Sequence, residues 1–421
     1  MVPGEGYSRA DHVVAAYGRA ATDAADVLAG APDQVIGAAL AEMAERLTAA
    51  HSEIMAANQQ DLAAAGAIGL SAGIRDRLQL DDVRLAAMAA HLRLLVSVDF
   101  PPRDIELSEL DGGLQLIERR RPVGVVGANY EARPNVTIDV ASQLIKSRNA
   151  GVLRTGSAAL TSALALHRLV IVPALDNAGL DPAAIQLVSE GGREFASALV
   201  RQPDLIPLVI LRGSGETTRS LSAEATRYGV RTLAHADGGG VLYIDGKADL
   251  DRAFHLLESG LDRLGVCNRV NLVLIEGVLF DRVVPILVET LGRIGVRASL
   301  PPHTHPLGYE WALDNDHEAT VTVSRVDSVA EAVTVANRET SGLAATIVTD
   351  DPHAAREFLD GYAGTGVFWN ATTRLLDGFR LLQIPETGIN VDRLPGPRGP
   401  VTFRDLYLRQ YVVIPQSGLP S

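Results

Sequence analysis

The sequence predicts an α/β protein with two doubly wound parallel sheets and a β-hairpin extension. Three observations predict it. Short apolar segments alternate with helical ones from residue 122: PVGVVGAN (122–129), AGVLRT (150–155), AIQLVS (184–189) and LVILRG (208–213). Helical spacing fills the gaps, near 137–147 and 158–178. The alternation then resumes with GVLYID (240–245), VNLVLIEG (270–277), ATVTVSRV (319–326), AATIVTD (344–350) and GVFWN (366–370). Strands that are apolar throughout, separated by helices, belong to parallel sheets covered on both faces.

The flanking segments follow different rules. Residues 9–99 are Ala-rich, with Ile36, Ala39, Leu40, Met43 and Leu47 at helical spacing. Asp33 is placed to cap that helix. Another helical stretch runs through 81–95, and Pro101-Pro102 ends the region. In IELSELDGGLQLIERRR (105–121) an Asp-Gly-Gly turn separates two alternating segments, which predicts a hairpin.

Composition narrows the function. A chain of 421 residues holds two or three domains at about 150 residues each. The net charge of −13 and the lack of a basic stripe argue against a duplex nucleic-acid partner. One Cys excludes an intrachain disulfide framework and a thiolate-only metal site. Ten His residues form no metal-ligand pattern, and His303 and His305 in PPHTHP are expected to face solvent. No apolar run approaches about 18 residues and no leader pattern opens the chain, so a cytoplasmic protein is expected.

Four segments could carry chemistry. Cys267 sits in GLDRLGVCNRVNLVLIE, at the lip of an apolar strand. A thiol there is either an exposed nucleophile or a small buried apolar group, and position alone weighs the two equally. YEARPNVT (130–137) follows a strand and precedes a helix; Asn135 could present an amide donor to an oxyanion and Arg133 could read an acid, or the segment is a plain turn and cap. LRGSGETT (211–218) runs from a strand through Gly213 and Ser214 into a helix, a geometry suited to a pyrophosphate and also common for steric reasons. Glu386 in QIPETGIN could bond ribose hydroxyls or be a solvated loop acid.

Taken in order, these segments resemble the γ-glutamyl phosphate reductases (glutamate-5-semialdehyde dehydrogenases) of the aldehyde dehydrogenase superfamily. The resemblance covers most of the chain. It rests on EIMAANQQDLAAAGAIGLSAGIRDRLQLDD (53–82), HADGGGVLYIDGKADLDRA (235–253), GVCN (265–268), RGP (398–400) and above all RRPVGVVGANYEARPNVTIDVASQLIKSRNAGVLRTGS (120–157). It implies an aldehyde dehydrogenase-like fold. The cofactor domain would comprise 1–104 and 122–234, the catalytic domain 235–390, and an oligomerisation extension 105–121 and 398–421. It implies Cys267 as nucleophile and Asn135 as oxyanion amide. It implies Arg154, Gly213, Ser214 and Glu386 at the cofactor, and Arg133, Asn268 and Arg398 at the substrate. The implied cofactor is NADPH, no metal is needed, and a homodimer or homotetramer is expected. The implied reaction reduces γ-glutamyl 5-phosphate to the semialdehyde through a Cys thioester.

Several segments depart from the family pattern. The run before GVCN is SGLDRL where members carry an A-K-T-Q-R-P-like run, which removes a Lys and a Thr and inserts Asp262, leaving Arg263 as a local cation. LLQIPE replaces an F-G-L-G-A-E-like approach, LPGPRGP an H-A-R-G-P-like tail, and LRGS a P-R-G-G-like turn. The segment HADGG (235–239) contains no Glu of the kind that drives water onto a thioester. A relative acting on another acyl phosphate or activated amino acid, and an inactive nucleotide-binding homologue, are the alternative readings.

Overall fold

The structure is a computed structural model that describes residues 8–416, except 71, 214, 236–237, 315 and 393–395. The first hundred residues form the helices Arg9–Gly30, Asp33–Ala49, His51–Ala67, Ala72–Leu78 and Asp82–Ser97. Ser8 and Asp11 open the first with a reciprocal capping box. Asp33 does not cap the second, as the sequence suggested. Pro32 holds that position without a side-chain acceptor, and the Asp33 carboxylate pairs with Arg148 instead.

A hairpin follows. Strands β1 (Asp104–Leu110) and β2 (Leu114–Pro122) pair across a turn in which Gly112 and Gly113 have positive φ. The C-terminal strand β16 (Tyr407–Pro415) pairs with the other side of β2, so the extension has three strands and both its edges are open.

The next sheet has the parallel order β5-β4-β3-β6-β7, with β3 (Val125–Tyr130), β4 (Ala150–Thr155), β5 (Ile185–Leu187), β6 (Leu208–Arg212) and β7 (Arg231–His235). The chain moves outward from β3 to β5, then returns to the other side of β3. That reversal makes the carboxyl ends of β3 and β6 a topological switch point. Every residue of β3 and β4 is buried, the outcome expected of strands covered on both faces. Helices Asn135–Lys146, Asp33–Ala49 and Asp82–Ser97 cover one face. Helices Arg9–Gly30, Arg193–Leu199 and Gly215–Tyr228 cover the other.

The helical run Ser157–Asn177 is long and apolar enough to cross a membrane. Its inner face, including Leu166, Val170, Ile171 and Leu175, lies in the core beside helix Asp33–Ala49. That burial accounts for its composition.

The second parallel sheet has the order β10-β11-β9-β8-β12-β13. Its strands are β8 (Gly240–Ile244), β9 (Val270–Glu276), β10 (Arg297–Ser299), β11 (Thr320–Val326), β12 (Ala344–Val348) and β13 (Gly366–Trp369). Helices Leu250–Gly260 and Gly277–Arg293 pack on one face, Val329–Glu339 and Pro352–Gly361 on the other. The chain then crosses back: β14 (Gly388–Asn390) and β15 (Gly399–Val401) form a small antiparallel pair, and β14 packs beside β7. Strands β7, β10, β14 and β15 are too short or too polar to stand out in the sequence.

Asn58 ties the N-terminal helices together. Its amide donates to the Leu78 carbonyl (2.9 Å) and the Ser162 hydroxyl (3.0 Å), and its oxygen accepts from Leu80 N–H (2.8 Å), all buried. Asn58→Ala orphans the buried Leu78 and Leu80 groups and is expected to cost about 2–4 kcal/mol in urea unfolding. A loss under about 0.5 kcal/mol, the scale of a neutral surface change, would refute that role.

Candidate active site

The carboxyl edge of the five-stranded sheet faces the amino edge of the six-stranded one, and an open cleft of ≈ 860 Å³, mouth included, lies between them. Tyr130–Arg133 follow β3, and Arg212 with Gly213 follow β6. Gly238 precedes β8, and Gly265, Val266 and Cys267 precede β9. Glu310, Ala312 and Leu313 come from the loop after β10, and Ile74 and Arg77 from the short helix Ala72–Leu78.

Cys267 keeps some accessible surface toward this cleft. Its backbone is fixed by a close approach, because Gly239 N–H donates to the Cys267 carbonyl at 2.6 Å. A Cβ on Gly238 would lie 2.6 Å from that oxygen and 2.8 Å from the Cys267 Cα, so only glycine fits. Glu310 joins the junction: its Oε2 accepts from Gly238 N–H at 2.7 Å. Asn271 straps the loop that carries Glu310, donating to the Tyr309 carbonyl (2.5 Å) and accepting from Trp311 N–H (3.1 Å).

The charges around the thiol are mixed. Burial pushes the Cys267 thiol up, Arg133 and Arg212 pull it down, and Glu310 pushes it up. Burial, then the neighbouring charges of Arg212, Arg77 and Arg263, lowers the Arg133 guanidinium to about 10, so it stays charged at neutral pH. Glu386 is raised to about 7 by burial; Arg212 opposes that, and Asp377 and Cys267 add to it. Its Oε2 accepts from Gly378 N–H at 2.6 Å.

Cys267, Arg133 and Gly213 meet in the cleft, with Glu386 near enough to feel the charges of Cys267 and Arg212. A Cβ on Gly213 would come within 2.9 Å of the Glu131 carboxylate. Ser214 lies outside the described residues. Arg154, the penultimate residue of β4, is buried and donates to Asn129 Oδ1 (3.0 Å) and the Gly192 carbonyl (2.7 Å); its Nε has no hydrogen-bond partner among the described residues.

Other expectations need correcting. Asn135 opens the helix after β3, but one of its amide N–H groups donates to Asp139 Oδ2 (2.9 Å), one turn along the same helix, and the residue is not in the cleft wall. Asn268 is buried: its amide donates to the Leu376 carbonyl (3.0 Å) and its oxygen accepts from Arg374. Facing inward beside Cys267, it positions the loop rather than lining the cleft. Arg398 is exposed and donates to the Ala363 carbonyl (2.9 Å), in a separate hollow near β13 and β15. His303 and His305 do not simply face solvent; both are half-buried, and His305 packs against Tyr309 and Trp311.

The residues of the departing segment form ion pairs. Asp262 pairs with the largely buried Arg374 (2.7 Å), and Arg263 with Asp76 (2.9 Å). Three cleft residues escaped the sequence reading. Arg77 and Glu310 sit in segments with no catalytic pattern, and only folding brings them to Cys267. Arg212 had a signal, since it ends a strand immediately before a Gly turn. The lack of a Glu in 235–239 does not empty the cleft of carboxylates, because Glu310 supplies one from another segment.

A family model, aldehyde dehydrogenase family, matches residues 8–306. The chain belongs to the aldehyde dehydrogenase family. A γ-glutamyl phosphate reductase from Heliobacterium modesticaldum is 34% identical over 404 residues, covering 94% of this chain and 96% of that one. The crystal structure of a γ-glutamyl phosphate reductase from Thermotoga maritima matches with a TM-score of 0.86 at 26% identity, over 97% of this chain and all of that one. An acetylating aldehyde dehydrogenase from Geobacillus thermoglucosidasius shares the fold, with a TM-score of 0.70 at 13% identity over 98% of each chain. This aldehyde dehydrogenase family member is therefore an oxidoreductase of the aldehyde group, and the family implies a nicotinamide cofactor.

Two outcomes follow from the electrostatics. Iodoacetamide labelling of Cys267 should have a pH midpoint above the ordinary thiol value of about 8.5. Arg133→Met should raise it further, because the guanidinium is the strongest influence favouring the thiolate. A midpoint that stays put in this variant would separate Arg133 from the thiol. Glu386 has a folded pKa of about 7, above its unfolded value near 4.5, so the unfolded chain ionises first and stability falls as pH rises through that window. Glu386→Gln should therefore unfold at a higher temperature than the parent at pH 8, with the gap closing by pH 4. An equal gap at both values would contradict the assignment.

Proposed function

We propose that the chain reduces γ-glutamyl 5-phosphate to glutamate 5-semialdehyde and phosphate, with NADPH as reductant, as a cytoplasmic enzyme of proline biosynthesis. The observation that carries this reading is a single thiol facing the switch point, in a cleft whose lining sets Arg77, Arg133 and Arg212 against Glu131 and Glu310. An acyl phosphate combines an electrophilic carbon with a dianionic leaving group, and that charge arrangement complements it. The Heliobacterium relative carries the corresponding name.

The Cys267 thiolate attacks the acyl carbon, the C–O bond to the phosphoryl group breaks, and phosphate leaves as a thioester forms. Arg133 and Arg212 favour the thiolate against the burial that opposes it. A bound nicotinamide coenzyme would supply hydride to the thioester carbon. The Cys267 backbone N–H would hold the resulting oxyanion. Collapse of that thiohemiacetal breaks the C–S bond and returns the thiolate with the aldehyde.

The residues fit the coenzyme. Gly213 follows β6 at the switch point, and the buried Arg154 Nε–H has no partner among the described residues. Gly213, Ser214, Arg154 and Glu386 would hold it, with Arg154 toward the ribose phosphate. On this reading 1–104 with 122–234 binds coenzyme, 235–390 carries the nucleophile, and 105–121 with 398–421 joins subunits of a homodimer or homotetramer. The open edges of β1 and β16 suit that last role.

The reverse reaction tests the proposal. Purified protein given glutamate 5-semialdehyde, phosphate and NADP⁺ should produce NADPH only when phosphate is present, and Cys267→Ser should abolish turnover. Phosphate-independent turnover, or activity surviving in Cys267→Ser, would overturn the mechanism.

A further inference from the structure

Arg77 lies 190 residues before Cys267 in the chain, yet it shares the cleft with it. Two contacts bring it there. Its Nη2 donates to the carbonyl of Gly265, two residues before the cysteine, at 3.0 Å. Its neighbour Asp76 pairs with Arg263 of the same loop at 2.9 Å and with Arg84 at 2.7 Å. Adjacent residues thus tie the last turn of helix Ala72–Leu78 to the cysteine loop, and Asn58 holds that same end through Leu78 and Leu80. A guanidinium held so firmly is positioned, not merely solvated.

The charges beside it define the ligand. Arg263 is matched by Asp76, whereas Arg77, Arg133 and Arg212 share the cleft lining with the carboxylates of Glu131 and Glu310. Arg77 and Arg212 both act on Arg133 as like charges and push its guanidinium down. Arg77 Nε–H is buried with no hydrogen-bond partner among the described residues, a cost that an anion along the guanidinium edge would remove. Against the two carboxylates of the lining, three guanidinium groups leave an excess of positive charge, and a phosphate dianion answers it with three acceptor oxygens.

We infer that Arg77 is a phosphate-binding residue, which with Arg133 holds the phosphoryl group leaving the acyl carbon on Cys267. The inference rests on the acyl-phosphate reading above. In reverse, the bound phosphate attacks the thioester carbon, the new C–O bond forms, the C–S bond breaks, and the phosphate proton passes to solvent. Arg77 then acts in binding one of two co-substrates, so its loss separates their Michaelis constants.

The experiment uses the full chain as wild type, Arg77→Gln and Arg77→Lys. Reverse turnover is measured with phosphate and semialdehyde varied independently. Arg77→Gln should raise the KM for phosphate about 10- to 100-fold, the range of one lost charge-assisted hydrogen bond. The KM for the aldehyde should stay within about twofold. Arg77→Lys keeps the charge and should recover part of the phosphate affinity. A second arm needs no turnover: inorganic phosphate should protect Cys267 from iodoacetamide saturably, with half-protection shifted to higher phosphate in Arg77→Gln. Thermal unfolding of each variant monitors folding, and Arg77→Lys carries the test if Arg77→Gln fails to fold. Unchanged half-protection, absent protection in the wild type, or a rise confined to the aldehyde KM would each overturn the inference. Arg77-dependent protection without turnover of glutamate 5-semialdehyde would sustain it while removing the proposed substrate.

Discussion

The cleft depends on how closely two backbones meet. Gly238 and Cys267 approach so tightly that no Cβ fits on the glycine, and Gly239 N–H closes on the Cys267 carbonyl at 2.6 Å. This contact sets where β8 and β9 begin, and so how far the thiol stands from the carboxyl edge of the other sheet. Everything else in the cleft arrives from one of those two edges or is strapped to them. Asn271 fastens the Glu310 loop to β9, and Arg374 with Asp262 fixes the cysteine loop from behind.

Much of this was legible because parallel strands buried on both faces have few residue choices. The apolar runs at 150–155, 208–213, 240–245 and 270–277 coincide with β4, β6, β8 and β9 to within one residue at each end. Cys267 was legible as the single thiol at a strand lip, and Arg133 as the residue after a β-strand at a helix start. Arg77 and Glu310 were not, because their neighbours along the chain say nothing about what they face. Their roles are products of packing between segments far apart in sequence.

Asn268 and Arg398 illustrate the opposite failure. The resemblance put Asn268 at the substrate, but Cys267 and Asn268 lie in the turn before β9, and the Asn268 side chain is buried. Its amide instead completes the buried contacts with Arg374 and Leu376. Arg398 immediately precedes β15 and donates to the Ala363 carbonyl, and it is absent from the cleft lining. Burial also raises both Glu386 and Asp139, to about 7 and about 6, so the site holds carboxyl groups that cost stability when ionised. Such a balance is common where function constrains side chains more than folding does.

The apolar helix Ser157–Asn177 has a bearing on how the chain is made. Its main packing partners are the helices Asp33–Ala49, His51–Ala67 and Asn135–Lys146, all synthesised before it. Chains emerge from the ribosome at roughly 5–20 residues per second, and domains fold as units as they appear. A segment with the apolarity of a membrane span is therefore delivered onto a surface already waiting for it. The order of elements along the chain places this apolar helix after the helices it packs against and before the half that carries the thiol.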